Sequence, residues 1–217
     1  MNTELRTYLV TQADRSRGRG TVATVRAAID GGVDVVQMRE KHATARERYE
    51  LGRELRELTR EADVAFVVND RVDVAAAVDA DGVHLGDDDL PIAVAREQLG
   101  PDALVGRSVS TVEAAVEAER AGADYLGVGA VFATDTKDVS EGESNVGTER
   151  VAEIADAVEI PLVGIGGITA ANAADVVGAG ADGVAVVSAI TDTDDPETAA
   201  RDLRRAVDGV RAGGVER

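Results

Sequence analysis

The chain has no cysteine and no tryptophan, only two histidines and four prolines, and aromatic residues make up 2% of its 217 positions. Each scarcity excludes something. Without cysteine there are no disulfides, no thiolate metal sites and no cysteine nucleophile. With His42 and His84 as the only imidazoles, a histidine-rich metal centre is excluded and a Ser-His-Asp triad is a poor candidate. With so few rings, the core must be built from Val, Ala, Leu and Ile, which the 44% apolar content allows. The longest apolar runs, such as residues 64–68, and others such as 184–187, are too short to span a bilayer. The opening MNTELRTYLV lacks a basic stretch followed by an apolar one, so no signal peptide is expected and the reading is cytoplasmic. Basic residues are also few, 23 against 41 acidic, giving a formal charge of −18. Such a surface repels nucleic acid and anionic membranes, so neither is an expected partner. Carboxylates spread along the whole chain fit adaptation to high salt better than an acidic binding function.

What is present is a repeat. Gly, a small residue, Asp and then an apolar run recur at Gly31-Gly32-Val33-Asp34, Gly122-Ala123-Asp124 and Gly180-Ala181-Asp182, with a weaker copy at Ala80-Asp81-Gly82. Glycine suits the residue that ends a helix, and the β-branched run after it suits a buried strand. Strands are predicted at 6–10, 33–38, 65–68, 82–85, 104–107, 125–128, 162–165 and 183–187. Helices are predicted at 22–29, 45–60, 72–78, 92–99, 112–121, 149–158, 170–177 and 197–210. Pro91 marks a helix start, and Thr111 and Thr169 are candidate N-caps. Strands apolar on both faces, alternating with helices, imply a covered parallel sheet. A (β/α)8 barrel and an open doubly wound sheet both satisfy that pattern. A barrel of 217 residues would be compact beside the usual ~250. Neither a linker nor a low-complexity tract divides the chain, so residues 1–217 read as one domain.

Polar residues gather at the C-terminal ends of the predicted strands, which in a barrel form one rim. Gln37, Arg39 and Lys41 follow the second strand, an amide and two cations that suit an anion. Asn69-Asp70 follows the third, where capping of the next helix is the plainer alternative. His84 ends the fourth, followed by Asp87, Asp88 and Asp89. Hard carboxylate oxygens suit Mg²⁺ completed by phosphate and water, although an acidic cap before Pro91 is equally compatible. Ser108 ends the fifth strand, and Thr134, Thr136 and Lys137 open the long irregular stretch 133–146. Gly164-Ile165-Gly166-Gly167-Ile168 and Val187-Ser188 follow the last two strands, where barrels frequently bind phosphate. No full G-x-G-x-x-G fingerprint is present.

With these motifs in this order, the chain resembles the thiamine phosphate synthase family from near Tyr8 through Ile190. The resemblance rests on Gln37-x-Arg39-Glu40-Lys41, Asn69-Asp70, His84-Leu85-Gly86-x-x-Asp89, Thr134-x-Thr136-Lys137 and Gly164–Ile168. It implies a (β/α)8 barrel, a Mg²⁺-dependent transferase. Such an enzyme couples 4-amino-5-hydroxymethyl-2-methylpyrimidine diphosphate to 4-methyl-5-(2-phosphoethyl)thiazole. It implies Mg²⁺ on Asp70 and Asp89, and diphosphate on Arg39, Lys41, Asn69, Ser108 and Lys137, with Arg39, Lys41 and Lys137 carrying catalysis. It also implies pyrimidine near Gln37 and His84, and thiazole phosphate on Thr134, Thr136, Gly167, Val187 and Ser188. Partners would be small phosphorylated molecules, and a homo-oligomer is left open. Asp87 stands where the family commonly has Gln, and Ala133 where Pro is common. The related thiazole tautomerase and a non-catalytic phosphate-ligand sensor are the alternatives.

The charge makes a first prediction. Carboxylate repulsion acts over a Debye length of ~30 Å at 0.01 M salt and ~3 Å at 1 M. The melting temperature should therefore rise from low to molar KCl, and a flat or falling curve would count against salt adaptation.

Overall fold

A computed structural model of the protein describes residues 4–134 and 145–213. The apolar runs form eight short strands: β1 (Thr7–Val10), β2 (Val35–Met38), β3 (Ala65–Asn69), β4 (Gly82–Leu85), β5 (Leu104–Val109), β6 (Tyr125–Gly129), β7 (Leu162–Ile165) and β8 (Gly183–Val186). All neighbours are parallel, and β8 returns to β1 with Tyr8 opposite Ala185, so the sheet is a closed barrel. The open sheet is thereby excluded.

The helices of the described residues are α1 (Thr21–Asp30), α2 (Ala45–Glu61), α3 (Val72–Ala77), α4 (Ile92–Leu99), α5 (Val112–Arg120), α6 (Gly147–Ala157), α7 (Ala173–Gly178), α8 (Ser188–Thr191) and α9 (Pro196–Gly213). The short α8 and a 3-10 turn at Ala13–Arg15 were not expected from the sequence. Thr44 caps α2 in a full capping box with Glu47, and Thr111 caps α5 by accepting from Ala114 N. Thr169 does not cap as expected. Its backbone N–H donates to Asn172 Oδ1 at 2.8 Å, and the helix starts only at Ala173, after that turn. Among the described residues no helix is long and apolar enough to cross a membrane.

Strand alternation divides the interior in two. Leu9, Val36, Val68, Val83 and Leu126 face the helices, whereas Tyr8, Val10, Val35, Val67, Tyr125, Val163 and Ala185 fill the barrel. Small residues make room for the two rings. A Cβ on Gly106 would lie 2.1 Å from Tyr125 Cζ, so no other residue fits there without displacing the ring.

At the N-terminal rim the repeated aspartates explain themselves. Asp34 Oδ2 accepts from Thr7 N at 2.9 Å, Asp81 Oδ2 from Phe66 N at 2.8 Å, Asp124 Oδ2 from Val105 N at 2.7 Å and Asp182 Oδ2 from Leu162 N at 2.9 Å. Each aspartate's own N–H donates back to the carbonyl of that same residue. An arginine reaches each carboxylate from the helical layer: Arg204 for Asp34, Arg56 for Asp81, Arg96 for Asp124 and, at 4.0 Å, Arg211 for Asp182. Every even-numbered strand is thus clipped at its start to the odd-numbered strand before it.

These clips differ from surface ion pairs. Asp81→Ala would leave Phe66 N–H and a largely buried Arg56 without their acceptor, which costs on the order of 3–5 kcal/mol. Asp79→Asn, which keeps a residue that tolerates the left-handed φ of +55° there, removes only the exposed pair with Arg60 and should cost about 0–1 kcal/mol. Denaturant unfolding of both variants at one fixed molar salt concentration measures the contrast, and equal losses would refute it.

Candidate active site

Four strand ends converge at the opposite rim. After β2 the backbone N–H of Arg39 donates to Thr11 Oγ1 at 3.1 Å, and its guanidinium reaches Gln12 Oε1 at 3.4 Å. Glu40 turns inward. Its buried carboxylate accepts from the hydroxyls of Thr11 and Thr21 at 2.8 and 2.9 Å and from Ala13 N at 2.9 Å. That hub ties the ends of β1 and β2 to the start of α1, and it leaves Lys41 exposed on the rim. After β3, Asp70 adopts φ +63°, a left-handed conformation that Asp tolerates, and its N–H donates to His84 O at 2.9 Å. Asn69 pairs in register with His84. The residue preceding α3 is Arg71 and no side chain caps that helix, so helix capping does not account for Asn69-Asp70.

Asp89 does not cap α4 either. Its Oδ2 accepts from Gly86 N at 2.6 Å, folding the loop after β4 back on itself. Arg107, on the outer face of β5, donates to Gly86 O and to Asp87 Oδ1, the latter at 2.7 Å. The negative charge that Asp87 brings is therefore answered by Arg107, and the same guanidinium braces the loop that presents Asp89.

Burial, then the adjoining Asp89 carboxyl through hydrogen bonding and charge, push the Asp70 carboxyl up to about 6, against the opposing pull of Arg39 and Lys41. Among the described residues no three His, Cys, Asp or Glu side chains gather as a metal cage. Two neighbouring carboxylates fit Mg²⁺, which keeps waters and takes phosphate oxygens as further ligands.

Gln37, His84 and Ser108 are brought together across the barrel by two residues that the sequence did not single out. Gln37 Nε2 donates to Tyr8 Oη at 2.8 Å, Tyr8 Oη meets Tyr125 Oη at 2.8 Å, and Tyr125 Oη meets His84 Nδ1 at 3.0 Å. His84 Nε2 then meets Ser108 Oγ at 2.9 Å. His84 is both a buried core histidine and a rim residue. Burial raises the Tyr8 hydroxyl to about 12 and pushes Tyr125 well above its ordinary value, so both stay protonated.

Beyond β7, Gly166 and Gly167 have φ +101° and +64°, and a Cβ on Gly167 would meet Ala133 O at 2.6 Å. Phe132 N donates to Gly166 O at 3.0 Å, which seats Thr134 beside this turn. Asn172 Nδ2 donates to Gly167 O at 3.1 Å, another contact the sequence did not reveal. Val187 and Ser188 follow β8, next to β7, where α8 starts. Thr136 and Lys137 lie outside the described residues. The signal for Tyr8 and Tyr125 was present all the same: in a chain with three tyrosines, two fall at inward positions of strands.

The crowding of Asp70 has a measurable sign. A carboxyl that holds its proton more tightly when folded stabilises the fold below its ordinary 3.8, and that contribution is lost as pH rises through about 6. At pH 7.5 without divalent metal, Asp70→Asn should therefore melt above the wild type, since Asn also accepts left-handed backbone. Added Mg²⁺ should raise the wild-type melting temperature and leave the variant nearly unmoved. A metal-free variant that melts below the wild type would contradict the like-charge account.

Comparison with known proteins bears on the same geometry. A family model described as thiamine monophosphate synthase matches residues 7–190. The thiamine-phosphate synthase of Natronomonas pharaonis is 66% identical over 97% of this chain and 98% of its own. That of Haloarcula marismortui is 69% identical over 93% of this chain and 96% of its own. Both relatives come from halophilic archaea, in keeping with the acidic composition. Among solved structures, a thiamine phosphate pyrophosphorylase from Pyrococcus furiosus superposes with a TM-score of 0.86 at 47% identity, covering 96% of this chain and 98% of its own. With the barrel, the converging rim and these matches agreeing over nearly the whole chain, the protein belongs to the thiamine monophosphate synthase family.

Proposed function

We propose that this chain is a transferase joining 4-amino-5-hydroxymethyl-2-methylpyrimidine diphosphate to 4-methyl-5-(2-phosphoethyl)thiazole, releasing thiamine phosphate and diphosphate in the cytoplasm. The observation that carries the reading is the Asp70–Asp89 pair set against Arg39 and Lys41. An isomerase of a thiazole phosphate alone has no use for that arrangement, and neither has a phosphate sensor.

In the reaction the pyrimidine's C–O bond breaks, diphosphate departs with the electron pair, and the aminopyrimidine spreads the resulting methylene cation. The thiazole nitrogen then attacks that carbon. No side chain needs to gain or lose a proton. The chain's work is to hold two substrates in line and to favour charge on the leaving group. Arg39, Lys41, Asn69 and Ser108 bind the diphosphate in this reading, and Gln37 meets the pyrimidine with His84 behind it. Mg²⁺ held by Asp70 and Asp89 would supply further positive charge at the departing oxygens. Gly167, Val187 and Ser188 hold the thiazole phosphate largely through backbone, with Thr134 alongside.

Purified protein should form thiamine phosphate only with both substrates and a divalent metal present. Asp89→Asn should lower kcat/KM for the diphosphate substrate by roughly 10²-fold or more, as loss of a leaving-group stabiliser does. Ser188→Leu should mainly raise the thiazole KM. Isomerisation of the thiazole phosphate without coupling would replace this reading with the tautomerase.

A further inference from the structure

The hydrogen-bond chain inside the barrel has a direction. Gln37, Tyr8, Tyr125 and His84 are 4%, 1%, 0% and 8% exposed, so a hydrogen left without an acceptor there is costly. Each tyrosine has one hydrogen to give. Tyr8 already receives one from the Gln37 amide, and its other hydrogen-bond neighbour among the described residues is Tyr125. Tyr8 must therefore donate to Tyr125, and Tyr125 must donate to His84 Nδ1. An Nδ1 that accepts carries no hydrogen, so the imidazole is neutral and protonated on Nε2. That N–H donates to Ser108 Oγ, and the serine's own hydrogen points elsewhere.

The reverse direction fails at both ends. With the Gln37 amide nitrogen toward Tyr8, a hydrogen on Nδ1 would go to Tyr125, Tyr125 would donate to Tyr8, and Tyr8 would face two donors with its hydrogen stranded among Val10, Val35 and Val67; only an amide turned with its oxygen toward Tyr8 would reverse the chain. Ser108 would give its hydrogen to Nε2 and turn lone pairs toward an anion. The ring lies close over Gly127, where a Cβ would come within 3.0 Å of His84 Cε1.

We infer that Tyr8 and Tyr125 are positioning residues that polarise this chain from Gln37 to Ser108, fixing His84 as the neutral Nε2–H tautomer and Ser108 as a hydrogen-bond donor to the leaving diphosphate. The last element rests on the function proposed above. The two ends of one substrate, pyrimidine and diphosphate, would then sit at the two ends of a single chain. Gln37 keeps its acceptor oxygen for the exocyclic amine. Hydrogen bonds in series strengthen one another, so occupation of one end favours the other.

The chain can be read in the resting protein without substrate. Only His42, which is exposed, and His84 contribute imidazole signals, so ¹⁵N-histidine labelling gives a two-residue spectrum. At pH 7.5 in molar KCl, His84 should show a protonated Nε2 and an unprotonated Nδ1. Gln37→Glu places an acceptor at the head of the chain and should move the His84 hydrogen from Nε2 to Nδ1. Tyr125→Phe keeps the ring but cuts the chain, and should leave His84 as a tautomer mixture. The same variant should raise the KM for the pyrimidine diphosphate about tenfold, the scale of one hydrogen bond to a charged group, with the thiazole KM unchanged. Adding Mg²⁺ and inorganic diphosphate to the wild type should shift the Nε2 signal.

An Nδ1–H or mixed tautomer in the resting wild type overturns the inference, and so does a Gln37→Glu spectrum identical to the wild type. An Nε2 signal unmoved by saturating diphosphate overturns the donor role of Ser108. Failure of the coupling assay with the predicted spectrum intact would count against the proposed reaction, and the polarity of the chain would still be confirmed.

Discussion

A strand that begins a barrel presents a backbone N–H to nothing, and this chain answers that constraint the same way four times. Asp34, Asp81, Asp124 and Asp182 each accept from the strand before and give their own N–H back to it. A carboxylate in that position is tolerable only when its charge is also met, hence an arginine for each. Two of those arginines, Arg204 and Arg211, come from α9 and serve Asp34 and Asp182, so the last helix clips both sides of the β8–β1 seam. The N-terminal rim is therefore electrostatically complete. One pair at the other rim is different: Asp89 stands against Asp70 and raises the energy of its charged form. The repeated clips lie at one end of the barrel and the crowded Asp70–Asp89 pair at the other, a division the parallel fold allows by placing all strand starts together.

Between the two rims the interior is governed by ring scarcity. A barrel of eight strands has space for side chains at its centre, and with no tryptophan available Tyr8 and Tyr125 supply the bulk. Tyrosine brings a hydroxyl that cannot stay unpaired in an apolar layer. Pairing the two hydroxyls with each other leaves two further valences, which Gln37 and His84 take up. The polar chain is thus a consequence of filling the core with tyrosine, and it ends at the rim because the strands do. The chemistry of Ser108 is set partly by a packing solution.

This also explains how far the residues could be read without coordinates. Strand positions were legible to within about two residues because a buried parallel strand has no polar face and its apolar run is nearly as long as the strand. Closure was not legible in the local period, which is the same in a barrel and an open sheet; the family resemblance implied it, and the pairing of Tyr8 with Ala185 bears it out. Rim residues such as Arg39 and Asp89 were visible because they follow strands directly. Arg107 was not, because its side chain leaves the outer face of β5 and reaches backward to Gly86, a contact between residues 21 positions apart. Thr169 misled for a local reason: Asn172 is equally able to form the turn there, and sequence spacing does not say which of two capping residues the backbone will use.

The charge balance remains to be reconciled with an anionic substrate. At −18 the chain as a whole repels a diphosphate, and in dilute salt that repulsion reaches well beyond the surface. In molar salt the Debye length is ~3 Å, so the carboxylates of the outer helices no longer reach the rim. The same screening weakens long-range attraction by Arg39 and Lys41. What survives is contact: hydrogen bonds at fixed distance. In the function proposed above, a neutral donor such as Ser108, aligned by the buried chain behind it, depends less on long-range charge than Arg39 and Lys41 do. Recognition of this kind depends on position more than on net charge, and so an acidic surface and an anion-binding rim can belong to the same molecule.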